Sequence, residues 1–348
     1  QGLALKKCSM SILGSAAACA MIRAALALSI PLAACGLNAS CVSFDGEVAH
    51  GHFPSLTLSH PGLKLESNSY GVGGRNTSLH QCVIEYGNQG AFGWNWTRGH
   101  TRPQCVTSCK APACFADFGI ISVGYGIAPW GQGTGAGNMP VNLNELDGFI
   151  ITQNVTWRWT DETPGVDPPE TGSTDERRVR LIYDMFLTSV RPNGSNVASS
   201  ITDEVTIDLA CNPGFPGSQP PGCLNPHSRF ANKTWGPVLE NAVWDGYHWY
   251  DYYWTDHNDA VPGTGTRYSS FRRKGAEAPG SGVPSKVNVK PFIDAVRKMW
   301  PGEEVGPWLG HVAIGTELYD HCRGSVTFHE APSFQPLARG LDGLPFVV

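Results

Sequence analysis

The chain has 348 residues, enough for one large β domain or two small ones. Its 41 glycines and 26 prolines favour many turns and short strands over long helices. A net charge of −5 and an isoelectric point near 6.1 provide no basic surface for a nucleic-acid partner.

Residues 1–40 have the pattern of a secretory leader. Lys6, Lys7 and Arg23 precede apolar runs, and small residues follow up to Cys35. A bacterial lipoprotein signal is the alternative, because Leu32-Ala-Ala-Cys35 fits that pattern too. No later apolar run is long enough to span a membrane. We therefore expect an extracellular protein that has no membrane contact once the leader is removed.

The cysteines and glycosylation triplets agree with export. Eight cysteines remain after the leader, an even number that predicts four disulfides: Cys41, Cys82, Cys105, Cys109, Cys114, Cys211, Cys223 and Cys322. A zinc site at Cys105, Cys109 and Cys114 is the alternative, although no Cys-x-x-Cys motif is present. Six Asn-x-Ser/Thr triplets favour a eukaryotic secreted glycoprotein, at Asn38, Asn76, Asn95, Asn154, Asn193 and Asn232.

Short strands separated by turns fill the first half of the chain. Alternating patterns predict strands at 63–67, 82–86, 93–96 and 156–160. Between them, residues 99–140 contain three cysteines and a glycine-rich run, which we interpret as an inserted loop held by disulfides. That run precedes no Lys-Ser/Thr pair, so we do not expect it to bind phosphate.

Three apolar strands each carry an acid. Residues 203–210 place Val205, Ile207 and Leu209 on one face and Glu204, Thr206 and Asp208 on the other, because strand side chains alternate. Residues 180–187 contain Asp184, and residues 311–319 contain Glu317. Such acids indicate a carboxylate site across a sheet, as glycoside hydrolysis requires. The alternative is a set of ordinary amphipathic strands with a solvated face.

The remaining elements complete a β-rich pattern. Cys211 and Cys223 flank a Pro/Gly loop that one disulfide would close, and residues 244–254 are aromatic and acidic. A metal site with His248 is the alternative to a glycan-lining role there. A helix is predicted at about 289–300, a last strand at 324–330 and a tail at 331–348. Together these predict an all-β jelly-roll sandwich of two antiparallel sheets with one short helix, over residues 41–330.

Several short motifs occur in the order found in a known enzyme family. They are the Cys41 and Cys82 pair, Asn68-Ser-Tyr70-Gly, Trp94-Asn-Trp96, Thr156-Trp-Arg-Trp159-Thr, Tyr183-Asp-Met-Phe-Leu187, Glu204-Val-Thr-Ile-Asp-Leu209, Trp244-Asp-Gly-Tyr247 and Gly315-Thr-Glu317. This series resembles glycoside hydrolase family 12, the jelly-roll endoglucanases and xyloglucanases.

The resemblance implies a role for each motif. Glu204 would be the nucleophile, Glu317 the general acid/base on a strand beside it, and Asp184 the residue that holds Glu204. It also implies a Cys41–Cys82 disulfide and a sugar-binding surface formed by Tyr70, Trp94, Trp96, Trp159, Asp208, Trp244 and Tyr247. Asp208 and Tyr70 depart from the family, which has tryptophan at both positions.

The function expected from these residues is a secreted, monomeric endo-β-1,4-glucanase or xyloglucanase. It would hydrolyse cell-wall β-glucan with retention and without a metal or other cofactor. The alternative is a glycan-binding or host-interacting protein on the same sandwich, with little or no turnover.

Overall fold

The computed structural model describes the backbone of residues 37–46, 55–57, 64–68, 77–86, 91–98, 119–127, 133–134, 139–160, 179–193, 197–211, 234–235, 243–244, 247–256, 266–273, 282–299, 304–318, 322–339 and 346–347. It describes side chains at 82–85, 91–96, 123–127, 139–158, 179–193, 199–210, 266–267, 269–271, 282–298, 304–317 and 323–339.

These residues form mainly β-strands. In chain order the strands are β1 Leu37–Gly46, β2 Ser55–Thr57, β3 Lys64–Asn68, β4 Thr77–Tyr86, β5 Ala91–Arg98, β6 Gly119–Ile127, β7 Gly133–Thr134, β8 Val141–Asn142, β9 Leu146–Thr152, β10 Val155–Thr160, β11 Val179–Thr188, β12 Ile201–Cys211, β13 Thr234–Trp235, β14 Val243–Trp244, β15 Tyr247–Asp256, β16 Arg267–Arg273, β17 Lys286–Asn288, β18 Trp308–Leu318, β19 Cys322–Phe328, β20 Ser333–Ala338 and β21 Phe346–Val347. The helices are α1 Val197–Ser200 and α2 Lys290–Met299, with a 3-10 turn at Leu143–Glu145.

Two large sheets pack face to face, as predicted for a jelly roll. One has five strands in the order β1-β4-β5-β19-β10, and the other has twelve, with the main path β13-β15-β16-β12-β11-β18-β6-β3-β2. Buried residues of both sheets share one apolar core, for example Trp94 and Phe328 with Ile207 and Ile314. The all-β sandwich class is therefore confirmed.

Two details differ from the predicted pair of antiparallel sheets. A third sheet of four strands, β17-β9-β20-β21, supplies Phe149 and Ile151 to the same core. In addition, β12 pairs with β16 in parallel, from Asp203 opposite Arg267 to Asp208 opposite Arg272. Parallel neighbours need a long connection between them, and residues 212–266 provide it.

The inner face of β5 explains the first tryptophan motif. Phe92, Trp94 and Trp96 alternate inward and are at most 2% exposed. Trp96 contacts the Trp157 ring with centroids 5.6 Å apart. It also lies against Gly324 of β19, where any Cβ would meet the indole ring. This motif is therefore part of the core between the sheets.

Helix α2 covers the core near β16, and its prediction at 289–300 is confirmed. Phe292, Ile293 and Val296 are buried at helical spacing, and the Phe292 ring meets the Phe271 ring edge-on at 5.1 Å. The Asn288 side-chain oxygen accepts from the Lys290 backbone N–H at 3.2 Å and satisfies the start of the helix. No helix within the described ranges is long and apolar enough to cross a membrane.

Strands occur beyond both predicted limits of the sandwich, whereas the leader and the domain boundaries stay predictions. β1 begins at Leu37, inside the predicted leader, and pairs with β4. β20 lies in the predicted tail and pairs with β9 from Ser333 opposite Thr152 onward. The alternation in residues 333–338 is weak because Pro336 interrupts it, which is why the sequence pattern missed this strand.

One of the two predicted disulfides touches the described residues. Cys82 is disulfide-bonded, and Cys41 lies directly opposite it across β1 and β4. Opposite residues of an antiparallel pair are close enough for such a bond, so the Cys41–Cys82 pairing stays a prediction that the register supports. Cys211 ends β12 with its side chain outside the described part, and Cys223 lies outside it altogether.

Candidate active site

Three neighbouring strands carry the three predicted catalytic acids on one face of the large sheet. Asp184 of β11 lies opposite Thr206 of β12 and opposite Ala313 of β18. Glu204 is two residues from Thr206, and Glu317 is four residues from Ala313, so all three side chains share a face. The expectation that the strands of Glu204 and Glu317 are adjacent is wrong, because β11 lies between them.

The opposite faces of these strands form the core, as the alternation predicted. Val205, Ile207 and Leu209 are fully buried, and so are Val312 and Ile314. This confirms that Glu204, Thr206 and Asp208 point away from the core. Burial of the apolar set therefore fixes which face of the sheet carries the acids, since a one-residue slip would reverse it.

Most of the acid-bearing face is closed to solvent. Arg180, Thr206, Asp208, His311 and Glu317 are between 1% and 6% exposed. Asp184 and Glu204 are half-buried. Within the described residues, the Oδ1 atom of Asp184 is buried and has no hydrogen-bond partner. Asp184 and Glu204 are therefore the more accessible of the described acids on this face.

A buried arginine connects two acids of this face. Arg180 Nε donates to Glu317 Oε2 at 2.5 Å, and an Arg180 terminal nitrogen donates to Asp208 Oδ1 at 2.8 Å. Arg180 lies directly opposite Glu317 in the β11–β18 register. Sequence reasoning missed Arg180. The sequence pattern that could have identified Arg180 is its position four residues before Asp184 on an apolar strand, which places both side chains on one face.

The surroundings raise the pKa of two of these acids, Asp184 and Glu204. Burial, then the negative charge of Glu317, raises the pKa of Asp184 to about 7, while Arg180 opposes the rise. Burial is also the main cause that raises the pKa of Glu204 well above its usual value, followed by the charges of Asp184 and then Glu317. Asp184 and Glu204 therefore hinder each other's ionisation and titrate as a coupled pair.

Three predicted sugar-binding residues are corrected by burial. Trp94 and Trp96 are 0% and 2% exposed in the core, so neither indole can stack on a sugar. The Trp94 ring N–H donates instead to Thr316 Oγ1 at 2.8 Å. Asp208 is 1% exposed and paired with Arg180, so it does not replace the family's tryptophan as a sugar contact.

The other predicted contacts are not tested by the described side chains. Trp159 lies in β10, Trp244 in β14 and Tyr247 at the start of β15, opposite Trp244. Their backbones are described, whereas their side chains are outside the described part. Tyr70 lies outside it entirely, as do Cys105, Cys109 and Cys114. Their proposed roles therefore stay predictions.

His311 is a second residue of this face that the sequence did not single out, since it only marked the start of a predicted strand. It is 2% exposed, lies opposite Phe186 and packs over Gly124, where a Cβ would be 2.8 Å from its Nε2. Within the described residues, no group of three histidine, cysteine or acidic side chains is placed to hold a metal ion.

The fold and this face together define a jelly-roll sandwich with a carboxyl cluster on its larger sheet. The fold is similar to that of a native family 12 xyloglucanase from Bacillus licheniformis, at 14% identity over 85% of this chain and 99% of that one, with a TM-score of 0.51. The same enzyme in complex with ligand matches at 14% identity over 84% and 98%, also with a TM-score of 0.51.

Sequence comparison adds nothing to this structural likeness. No protein-family model matches the chain, and no curated protein matches it either. The chain thus has the fold of the family 12 glycoside hydrolases. At 14% sequence identity, this similarity concerns the fold alone.

Proposed function

We propose that the protein is a secreted, monomeric endo-β-1,4-glucanase or xyloglucanase that cleaves cell-wall β-glucan with retention of configuration. The observation that carries the proposal is that Asp184, Glu204 and Glu317 share one face of the sheet, and that the charge of Glu317 raises the pKa of both Asp184 and Glu204. The family resemblance and the similar fold of a xyloglucanase support the same substrate class.

The proposed mechanism uses two carboxyls in two steps. Glu317 donates a proton to the departing sugar oxygen while ionised Glu204 attacks the anomeric carbon and forms a glycosyl-enzyme ester. Glu317 then removes a proton from water, which displaces Glu204 and restores both groups. Asp184 orients Glu204 and shares a proton with it, and Glu204 is the carboxylate that attacks when Asp184 holds that proton. Because both steps invert the anomeric carbon, the product keeps the β configuration.

The test is a reducing-sugar assay on xyloglucan, barley β-glucan and carboxymethylcellulose. Glu204→Gln and Glu317→Gln serve as matched controls, since each removes one ionisable group with almost no change in volume. Proton NMR of the first product reports its anomer. We expect activity on at least one glucan, an initial β product and loss of at least about a hundredfold in either variant. An initial α product would contradict retention.

One observation favours the binding-protein alternative. Glu317 is held by Arg180 at 2.5 Å, and an ion-paired carboxylate is a poor proton donor. Isothermal titration with glucan oligosaccharides separates the two functions. Binding without release of reducing ends would establish a glycan-binding protein with little turnover.

A further inference from the structure

A single buried guanidinium serves two carboxyl groups on the acid-bearing face. The side chains of Arg180, Asp208 and Glu317 are 4%, 2% and 8% exposed. Arg180 contacts Glu317 through Nε and Asp208 through a terminal nitrogen, so its planar fork spans two strands, β18 and β12. A fork with fixed geometry holds both carboxyls in defined orientations, which a flexible lysine would not do.

This arrangement bears on proton donation. A cation beside Glu317 favours its ionised form, yet the proposed first step needs Glu317 protonated. Asp208 is a second anion on the same cation. Its charge offsets that of Arg180 in a region where burial strengthens every electrostatic interaction. Asp208, at the position where the family has tryptophan, therefore offsets the positive charge of Arg180 beside Glu317.

We infer that Arg180 and Asp208 are positioning residues: Arg180 fixes the orientation of the Glu317 carboxyl, and Asp208 offsets the arginine charge so that Glu317 can still take up a proton. The catalytic part of this inference rests on the proposed function, whereas the pairing of Arg180 with both carboxyls does not depend on it.

Other charged residues lie on this face or at neighbouring register positions. Asp184 and Glu204 share its face from β11 and β12, and His311 lies on the same strand as Glu317. Arg272 of β16 lies opposite Asp208 in the register, and Glu66 of β3 lies opposite Ser122, which is opposite Gly315. None of these groups is changed in the variants below.

Two variants separate charge from orientation. Asp208→Asn removes the anion but keeps an oxygen that can accept from Arg180. Arg180→Lys keeps the cation but loses the fork. The matched control is Asp203→Asn, since Asp203 is fully buried on the opposite face of β12 and paired with Arg267 at 2.8 Å. Circular dichroism verifies that each variant is folded.

The first readout does not depend on activity. Carbon-13 NMR of carboxyl-labelled glutamate follows the titration of Glu317, with Glu317→Gln identifying its signal. Loss of a neighbouring anion favours ionisation, so Asp208→Asn should move the Glu317 titration to lower pH by about one unit relative to the unmodified protein. Asp203→Asn should leave it unchanged. A Glu317 titration that is the same in Asp208→Asn and Asp203→Asn would overturn the role of Asp208.

The second readout is catalytic. A titration one unit lower means about tenfold less protonated Glu317 above its midpoint, so Asp208→Asn should slow glucan hydrolysis about tenfold there. An aryl glycoside with a good leaving group needs little acid assistance and should react nearly as before. Arg180→Lys should lower kcat on glucan with little change in KM, and full kcat in that variant would overturn the positioning role. If the unmodified protein cleaves no glucan, the proposed function fails and the NMR titration alone decides the inference.

Discussion

Trp94 of the five-stranded sheet donates its ring N–H to Thr316 Oγ1 of the twelve-stranded sheet at 2.8 Å, and Thr316 directly precedes Glu317. Both side chains are fully buried. The hydrogen bond therefore joins the two sheets immediately behind the proposed acid/base. It gives a tryptophan of the family-like motif a role in supporting the site from the core side.

The first prediction concerns this hydrogen bond. Trp94→Phe should lower the free energy of unfolding by at least about 1–3 kcal/mol, because the buried Thr316 hydroxyl loses its donor and the smaller ring leaves a void. The measurement is urea denaturation followed by circular dichroism. Thr316→Val and the double variant complete a thermodynamic cycle, and strictly additive effects would contradict a direct interaction.

The second prediction separates the two carboxyls proposed to be catalytic. Glu204→Ala should abolish hydrolysis of every substrate, because in the proposed mechanism no other group forms the covalent intermediate. Glu317→Ala should slow natural glucans far more than aryl glycosides with good leaving groups, since acid assistance matters less for a stable leaving anion. Steady-state kinetics on both substrate types measures the difference. Full activity of Glu204→Ala would overturn the assignment.

The third prediction is a dependence of stability on pH. Burial and the Glu317 charge raise the pKa of Asp184 from 3.8 to about 7, so the folded state binds more protons than the unfolded state between these values. Stability should therefore fall as pH rises from about 4 to about 7. Glu204 contributes with the same sign. Asp184→Asn should flatten this decline in part, as urea unfolding at several pH values would measure, and an unchanged slope would contradict the assignment.

The fourth prediction concerns the family's tryptophan at position 208. From sequence alone, Asp208→Trp is expected to alter substrate preference or affinity while the fold survives. The structure predicts instead a loss of about 3–5 kcal/mol, because Arg180 loses one buried partner and an indole must fit a closed face. Thermal unfolding measures the change. Asp208→Asn is the control and should cost less, since it keeps a hydrogen-bond acceptor.

The parts of the fold predictable from the sequence were those with strong periodicity. Alternation on β12 and β18 placed Glu204 and Glu317 on the face away from the core, and the helical spacing of Phe292, Ile293 and Val296 located α2. These signals are local, since the period of apolar residues follows from backbone geometry alone. β20 was missed because Pro336 breaks the alternation of a short strand.

The parts that failed depend on partners distant in sequence. The residues next to a tryptophan in sequence do not distinguish a core side chain from one that stacks on sugar. Trp94 lies in the core, where its hydrogen-bond partner Thr316 is 222 residues away in sequence. Asp208 likewise looked exposed until Arg180 was placed beside it across β11 and β12. A motif comparison aligns positions, whereas the burial of each side chain is decided by the strands that meet around it.

The position of β11 between β12 and β18 limits how the two acids can move relative to each other during evolution. The lateral separation of Glu204 and Glu317 is set by two hydrogen-bonded strand spacings within one sheet, each about 4.8 Å, and not by any connecting segment. Insertions between strands can thus lengthen or reshape the surroundings of the site while the positions of the two acids in the sheet stay the same. Substrate range can consequently change on this scaffold without moving either acid.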